Sequence, residues 1–434
     1  MRTFLVRCLS IGTYLLLITT ASHGQDLSPV TESEKLKLEK TFQDTEKRAL
    51  RGYREAQFKV GVFYSEGTGV AQDIEKAREW LEKSANQGHA TAPYLIGQFY
   101  EKGSGVTEDK TIAAEWYQKG ANRGNPQAQL ALALSYKQGK GVPQDEKLAA
   151  RWMEKAASKL VDAQLATAQF YEKGFGVRQS TAQAIKWYRR AAQQGSAAAQ
   201  DQLGTYLYRG VGIRKNTKEA VNWFRKAAEQ NYADGQMHLG IAYHAGEGIE
   251  QNYDLAREWY EKAAQYGQQI AENNLGVLYS RGLGVPKDYA MAAQWYQKAA
   301  EKGFRNAQSN LGYLYEKGKG VQQDVNVARD WYQKSAQQNF APAQFFLGYL
   351  YYRGISVPQD YDKAVIWFKK AAEQDLPFSQ YTLGILYLTG KGVPKDQETA
   401  LQWLEKAAKQ GNANAQKKLD ELKQEQKKLA SRTR

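Results

Sequence analysis

The ten tryptophans of this 434-residue chain recur at a nearly fixed interval, and this period constrains the fold more than any other feature. Successive tryptophans are 36 residues apart except for one interval of 35, at Trp80, Trp116, Trp152, Trp187, Trp223, Trp259, Trp295, Trp331, Trp367 and Trp403. Such self-similarity is typical of a solenoid, in which each repeat buries its apolar face only against its neighbours. The sequence therefore predicts ten stacked repeats rather than a few conventional domains.

Each repeat predicts two helices joined by a short turn. In the repeat that begins at Ala307, the spacing of Ala307, Leu311 and Tyr315 places them on one face of a first helix, helix A. Gly318 is predicted to end this helix, because the position is Gly in all ten repeats and glycine readily turns left-handed. Asp324 is predicted to cap a second helix, helix B, and its equivalents are Asp, Asn or Ser throughout.

Two further features predict how the helices pack. Ala328, Trp331 and Tyr332 are expected on the buried side of helix B, so Trp259→Ala should cost about 3–5 kcal/mol in its own repeat. Gly312 lies inside helix A, where a glycine costs about 1 kcal/mol relative to alanine. Its recurrence predicts the close approach of a neighbouring helix.

The motif from Ala307 to Gly320, completed by Trp331-Tyr332-x-Lys334-Ser335-Ala336, resembles the Sel-one-like repeat family, a relative of the tetratricopeptide repeats. The resemblance covers nearly all of the chain beyond residue 24. It implies an all-α, right-handed superhelical α/α solenoid that scaffolds protein complexes, often in bacterial envelopes and signalling systems. Cysteine-rich members of the family are linked to penicillin binding or hydrolysis, but the only cysteine here is Cys8, which separates this chain from them.

The predicted organisation has four parts. Residues 1–24 are a signal peptide, residues 25–55 an N-terminal capping helix with a capping box at Thr31 and Glu34, and residues 415–434 a C-terminal capping helix and basic tail. The ten 36-residue helix-turn-helix repeats fill residues 56–414 and start at Ala56, Ala92, Ala128, Ala163, Ala199, Gly235, Ala271, Ala307, Ala343 and Ser379.

The first residues predict export. Arg2 and Arg7 flank the start of an apolar run, and the small residues Ser22 and Gly24 suit cleavage before Gln25. The run is too short for a permanent membrane anchor, so the expected location is periplasmic or secreted. Removing both arginines from the 60 basic residues leaves 58 against 46 acidic ones, near +12. This balance favours acidic proteins or anionic envelope components as partners, and export argues against nucleic acid.

Catalytic, cofactor and metal sites are not predicted. His89, His238 and His244 are the histidines beyond the leader, and the last two are six residues apart, which does not place them on one helix face as metal ligands. The Gly-x-Gly loops, such as Gly318-Lys319-Gly320, lack the strand and the Lys-Ser/Thr pair of a phosphate-binding loop. The recurring aspartates are interpreted as helix caps.

The predicted function is a non-enzymatic scaffold or adaptor of the bacterial cell envelope that binds a protein partner in a concave groove. Two alternatives remain open. Some periplasmic members of the family protect against phospholipase effectors, so the resemblance also allows an immunity protein that neutralises such a toxin. The basic charge and the 28 tyrosines allow binding to peptidoglycan or an anionic polysaccharide.

The predicted binding residues are aromatic side chains that the repeat pattern does not require. Phe345, Tyr349 and Tyr352 are spaced i, i+4 and i+7 on one side of a helix A, and Arg353 adds a cation beside them. Tyr313 has the register of Tyr349 one repeat earlier and is expected beside it. In related solenoids helix A lines the inner curve, so this stripe should face the groove as an anchor for a partner, unless it thickens the core.

Overall fold

A computed structural model describes residues 31–432 of the chain, and the predicted signal peptide at residues 1–24 lies outside the described residues. The described part contains α-helices and no strand. The predicted all-α solenoid of helix pairs is confirmed. No helix between residues 31 and 432 combines the length and the apolar character needed to cross a membrane.

Ten helices A alternate with ten helices B between two terminal helices. The terminal helices are α1 (Glu32–Leu50) and α22 (Ala413–Arg432). The helices A are α2 (Arg54–Glu66), α4 (Ala92–Lys102), α6 (Pro126–Gln138), α8 (Val161–Lys173), α10 (Ala197–Arg209), α12 (Ala233–Ala245), α14 (Gln269–Arg281), α16 (Arg305–Lys317), α18 (Ala341–Arg353) and α20 (Pro377–Thr389). The helices B are α3 (Ile74–Asn86), α5 (Lys110–Asn122), α7 (Glu146–Ala156), α9 (Thr181–Gln193), α11 (Thr217–Glu229), α13 (Tyr253–Gln265), α15 (Tyr289–Glu301), α17 (Val325–Gln337), α19 (Tyr361–Ala372) and α21 (Gln397–Lys409).

The predicted helix ends are confirmed throughout the repeats. Every helix B has an Asp, Asn or Ser N-cap whose side chain accepts a backbone N–H hydrogen bond, as Asp324 does from Val327. Every helix A ends at a glycine in the left-handed conformation, with φ +63° at Gly318. The capping box at Thr31 and Glu34 is also present.

The hydrophobic core lies between helix B of one repeat and helix A of the next. In the cluster between the eighth and ninth repeats, Ala328, Tyr332 and Ala336 of α17 pack against Leu347 and Leu350 of α18. All five side chains are buried, with at most 2% of their surface exposed. Burying such apolar surface contributes about 25 cal/mol per Å², so contacts with the neighbouring repeats add to the stability of each helix pair.

The tryptophans are less buried than the sequence predicts. Trp152 and Trp187 are buried, whereas Trp259 and the other seven are half-buried. A Lys or Arg three residues later covers each indole ring, with Lys262 Nζ 4.0 Å from the centre of the Trp259 ring. The fully buried large side chain is the next residue, Tyr260 in this repeat. We therefore expect the loss of about 3–5 kcal/mol for replacement by alanine of the residue after each tryptophan, rather than of the tryptophan itself.

The glycine inside helix A makes room for that buried side chain. A Cβ at Gly312 would lie 2.9 Å from the ring of Tyr332 and 3.2 Å from the carbonyl oxygen of Ala328. The close approach predicted from the cost of this glycine is thus made by an aromatic ring and by helix-B backbone.

The chain divides into two compact units, one ending at Lys159 and the other beginning at Leu160. The boundary falls within the single 35-residue interval, between Trp152 and Trp187. Leu160 is the N-cap of α8 and makes no side-chain cap hydrogen bond. In nine other repeat ends the chain turns at a Gly, Asn or Asp with positive φ, and the missing residue removes that turn here.

Candidate partner-binding surface and cavity

Side-chain hydrogen bonds join α10 to α12 and α14 to α16, so the two helices A of each of these pairs lie side by side. Asp201 Oδ1 is 2.6 Å from His238 Nδ1, and Asn310 donates its side-chain amide to Asn273 Oδ1 at 3.0 Å. Both bonds join the third residue of one repeat to the fourth residue of the next. We call the side of α16 and α18 that carries the predicted binding residues, together with the adjoining residues of α20, the helix-A surface.

The structure separates the five predicted binding residues into two groups. Tyr349 and Arg353 are exposed, and 37% of the Tyr349 surface is accessible to solvent. Tyr313, Phe345 and Tyr352 are half-buried. Lys317, on the same helix as Tyr313, forms an ion pair with Glu316, and this hydrogen bond is the main cause that raises the pKa of Lys317.

Phe345 and Tyr352 contribute to the core as well as to the surface. Their rings lie 5.6 Å and 6.5 Å from the ring of Phe368, a buried residue of helix B in the same repeat. Tyr352 also packs against Tyr361, with ring centres 5.4 Å apart. Replacing either residue would therefore disturb folding and binding together, which leaves Tyr349 as the cleaner probe of binding.

Phe378 belongs to the same surface, and sequence reasoning missed it. Its ring centre lies 6.5 Å from that of Phe345, and 62% of its surface is exposed. The equivalent position, just before the first residue of the repeat motif, is polar in most repeats. A search for large apolar residues outside the motif would have found Phe378, whereas the helix-A stripe alone did not.

A cavity of about 250 Å³ opens beside Tyr313, between the seventh and eighth repeats. Its walls come from both helices of the seventh repeat, from helix A of the eighth repeat and from the loop after it. The lining residues are Val277, Ser280, Arg281, Tyr289, Tyr296, Asn310, Tyr313, Leu314 and Lys319. They include two cations and no carboxylate.

Lys319 is held at the cavity by two tyrosines. Its Nζ donates a hydrogen bond to the Tyr313 hydroxyl at 3.0 Å and lies 5.0 Å and 5.2 Å from the ring centres of Tyr313 and Tyr289. The hydrogen bond to Tyr313 is the main cause that raises the pKa of Lys319. The lysine therefore keeps its charge at neutral pH and can bind an anion.

Comparison with known proteins identifies the repeat. A family model described as the Sel1 repeat matches ten segments, at residues 54–89, 90–125, 126–159, 161–196, 197–232, 233–267, 269–304, 305–340, 341–376 and 377–412. The chain belongs to the Sel1 repeat family. The resemblance found in the sequence is confirmed.

Solved structures of other Sel1 proteins have the same fold. The protein c5321, described as a protective antigen of uropathogenic Escherichia coli with an SLR fold, is 31% identical over 89% of this chain and 90% of its own, with a TM-score of 0.64. A Sel1 repeat protein from Oxalobacter formigenes is 34% identical over 56% of this chain and 96% of its own, with a TM-score of 0.52. None of the curated proteins matches the chain.

The histidines of this Sel1 chain have structural contacts of their own. His89 Nδ1 accepts the backbone N–H groups of Thr91 and Ala92 at the start of α4, and burial lowers the pKa of the imidazole. His238 pairs with the fully buried Asp201. The pKa of His244 is lowered by burial first and by a nearby Arg second. Among residues 31–432, no three potential metal ligands come together.

Proposed function

We propose that this protein is an exported, non-enzymatic adaptor of the bacterial cell envelope that binds a protein partner on its helix-A surface. The observation that carries the proposal is the exposure of Tyr349, four residues after the half-buried Phe345 in α18, and of Phe378, whose ring centre lies 6.5 Å from that of Phe345. Exposed aromatic residues gathered on one surface are typical anchors of a protein interface. The exposed Arg353 adds a cation that can pair with an acidic group of the partner.

Two further observations support this function. Sel1 repeats form scaffolds for protein interactions, and the relative c5321 is a protective antigen, which agrees with a place outside the cytoplasm. The repeated Gly-x-Gly and Asp positions, which could be mistaken for phosphate-binding or acid–base sites, serve as turns and helix caps. Cleavage of the leader before Gln25 can be checked by N-terminal sequencing of periplasmic protein.

The decisive experiment measures partner binding by surface variants. Residues 25–434 are purified, cross-linked in envelope extracts, and the recovered partner is produced separately for titration calorimetry. Tyr349→Ala combined with Phe378→Ala should weaken binding by about 2 kcal/mol or more, the loss typical of an interface hot spot. Thermal unfolding should change little, because both side chains are exposed.

The matched control is Tyr266→Ala in the sixth repeat, which removes another exposed tyrosine, 61% accessible, from the end of a helix B. It should leave binding unchanged. Equal weakening by the control and the double variant would contradict a specific helix-A site.

A phospholipase-type toxin as the partner would make the adaptor an immunity protein. Turnover of a lactam or ester, or retention on cell wall at high salt, would replace the proposal.

A further inference from the structure

A hydrogen bond between a buried tyrosine and a glutamate occurs in three of the ten repeats and is absent from the seventh repeat, which lines the cavity. The buried tyrosine after the helix-B tryptophan donates its hydroxyl to a glutamate near the end of helix A, 16 residues earlier. Three repeats contain this bond: Tyr117 to Glu101 at 2.7 Å, Tyr188 to Glu172 at 2.9 Å and Tyr332 to Glu316 at 2.8 Å. The seventh repeat has Ser280 at the glutamate position.

The serine opens the space that a glutamate fills elsewhere. Ser280 Oγ is 3.2 Å from the hydroxyl of Tyr296, and both residues line the cavity of about 250 Å³. Small-molecule sites typically measure about 300–1,000 Å³, so this cavity suits one side chain rather than a cofactor. In this cavity the Tyr296 hydroxyl is hydrogen-bonded to Ser280, whose own hydroxyl donates to the Val277 carbonyl at 3.0 Å, in place of the carboxylate found in three other repeats.

The charges at the cavity favour an anion. Among the side chains described, residues 31–425, none forms an ion pair with Arg281, and Lys319 donates a hydrogen bond to the Tyr313 hydroxyl. In the eighth repeat, Glu316 stands at the position of Ser280 and Lys317 at the position of Arg281, and these two residues form an ion pair. The seventh repeat thus keeps its cations and lacks the acid.

We propose that this cavity binds the carboxylate of a Glu or Asp side chain of a protein partner. This inference rests on the proposed function, since Tyr313 belongs to both the cavity and the helix-A surface. The carboxylate pairs with Arg281 and Lys319, and it replaces Ser280 as the acceptor of the Tyr296 hydroxyl. A sugar acid fits less well, because Lys319 covers the rings of Tyr289 and Tyr313 on which a sugar would stack.

The test uses a fluorescein-labelled hexaglutamate peptide and residues 25–434 at 0.15 M salt, with binding followed by anisotropy. The unsubstituted protein should bind hexaglutamate and not hexaglutamine. Ser280→Glu should weaken binding about tenfold or more, because the new carboxylate takes the hydrogen bond of Tyr296 and the nearby cations. The variant should fold, since three repeats contain this glutamate naturally.

Gln138→Glu, at an exposed site in the third repeat, adds the same charge and should change binding less than about twofold. Arg281→Ala should weaken binding, whereas Arg209→Ala, at the equivalent exposed position of the fifth repeat, should not. Equal effects of Ser280→Glu and Gln138→Glu, or no binding of hexaglutamate at all, would overturn the proposal. So would displacement of the peptide by a hexauronate with the same sensitivity to Ser280→Glu. This assay omits the natural partner, so its failure is distinguishable from failure of the Tyr349 and Phe378 test.

Discussion

The seventh and eighth repeats have the same pair of helices but pair their buried polar groups differently. In the eighth repeat, Gln338 donates its amide to Gln308 Oε1 at 2.8 Å. The same glutamine pair, 30 residues apart, occurs in six repeats. In the seventh repeat the two positions hold Glu272 and Lys302, which form an ion pair. The acid at the first glutamine position is compensated by the lysine at the second, so the helix pair keeps its backbone structure.

The sixth repeat shows what happens without compensation. Gln236 is buried and its Oε1 accepts no hydrogen bond, because Tyr266 occupies the position of the donating glutamine. The tyrosine side chain lies in solvent instead. The periodic alanines, glycines and caps are therefore enough to form the helix pair, and the polar pairs are free to vary. Both the sixth and the seventh repeat depart from the glutamine pair. The seventh repeat lines the candidate cavity, and the sixth precedes it in the chain.

The largest expected effect concerns the residues that all repeats share. Tyr332→Ala should destabilise the eighth repeat by about 3–5 kcal/mol, because this side chain has 0% of its surface exposed and packs on Gly312. Trp331→Ala should cost about 1–2 kcal/mol, because the indole is half-buried under Lys334. Hydrogen exchange of the α16–α18 amides, read together with urea unfolding, reports both changes locally.

Repeats contact mainly their neighbours, so the Tyr332 variant should also lower protection in the ninth repeat before the terminal repeats respond. If the Trp331 variant proves the more destabilising of the two, the assignment of the tyrosine as the principal core residue is wrong. Fully unchanged exchange in the neighbouring helices would contradict the nearest-neighbour architecture.

A smaller effect separates the seventh repeat from the eighth. Lys302→Ala leaves the Glu272 carboxylate, only 3% exposed, without its cation, while Glu272 Oε2 already lacks a partner. We expect a loss of about 2–3 kcal/mol, below the value for a fully buried pair because Lys302 is partly exposed. Glu272→Gln combined with Lys302→Gln recreates the pair of the eighth repeat and should change stability by less than about 1 kcal/mol. Urea unfolding of both variants measures the difference, and equal losses would show that the pair is not interchangeable.

The sequence predicts helix ends well because they depend on single local residues, such as Asp324 at a cap and Gly318 at a left-handed turn. It does not determine which of two adjacent aromatic residues is fully buried, since that depends on the angle at which helix B meets Gly312 of helix A. The spacing rule found the exposed Tyr349 but grouped it with residues that also pack in the core.

The cavity was beyond sequence reasoning for a related reason. It depends on Ser280 standing where three repeats have glutamate, and that exchange has meaning only once Tyr296 is known to face it. An alignment of the repeats shows that Ser280 replaces a glutamate, but only the structure shows that this residue contacts Tyr296. The same holds for Glu272 and Lys302, whose opposite charges are 30 residues apart and become a recognisable pair only in the structure.

The smallest expected effect is a gain of stability in the sixth repeat. Tyr266→Gln places a side-chain amide where six other repeats have one, so it should donate to the unpaired Gln236 Oε1. One hydrogen bond to a buried acceptor contributes about 0.5–1.5 kcal/mol, and 61% of the tyrosine surface is exposed, so little packing is lost. Tyr266→Ala is the matched control, since it removes the ring without adding a donor and should be close to neutral. Urea unfolding with hydrogen exchange of α12 and α13 measures both variants. Equal stability of the glutamine and alanine variants would mean that Gln236 is already satisfied by solvent, and that the sixth repeat differs from the eighth in sequence but not in energy.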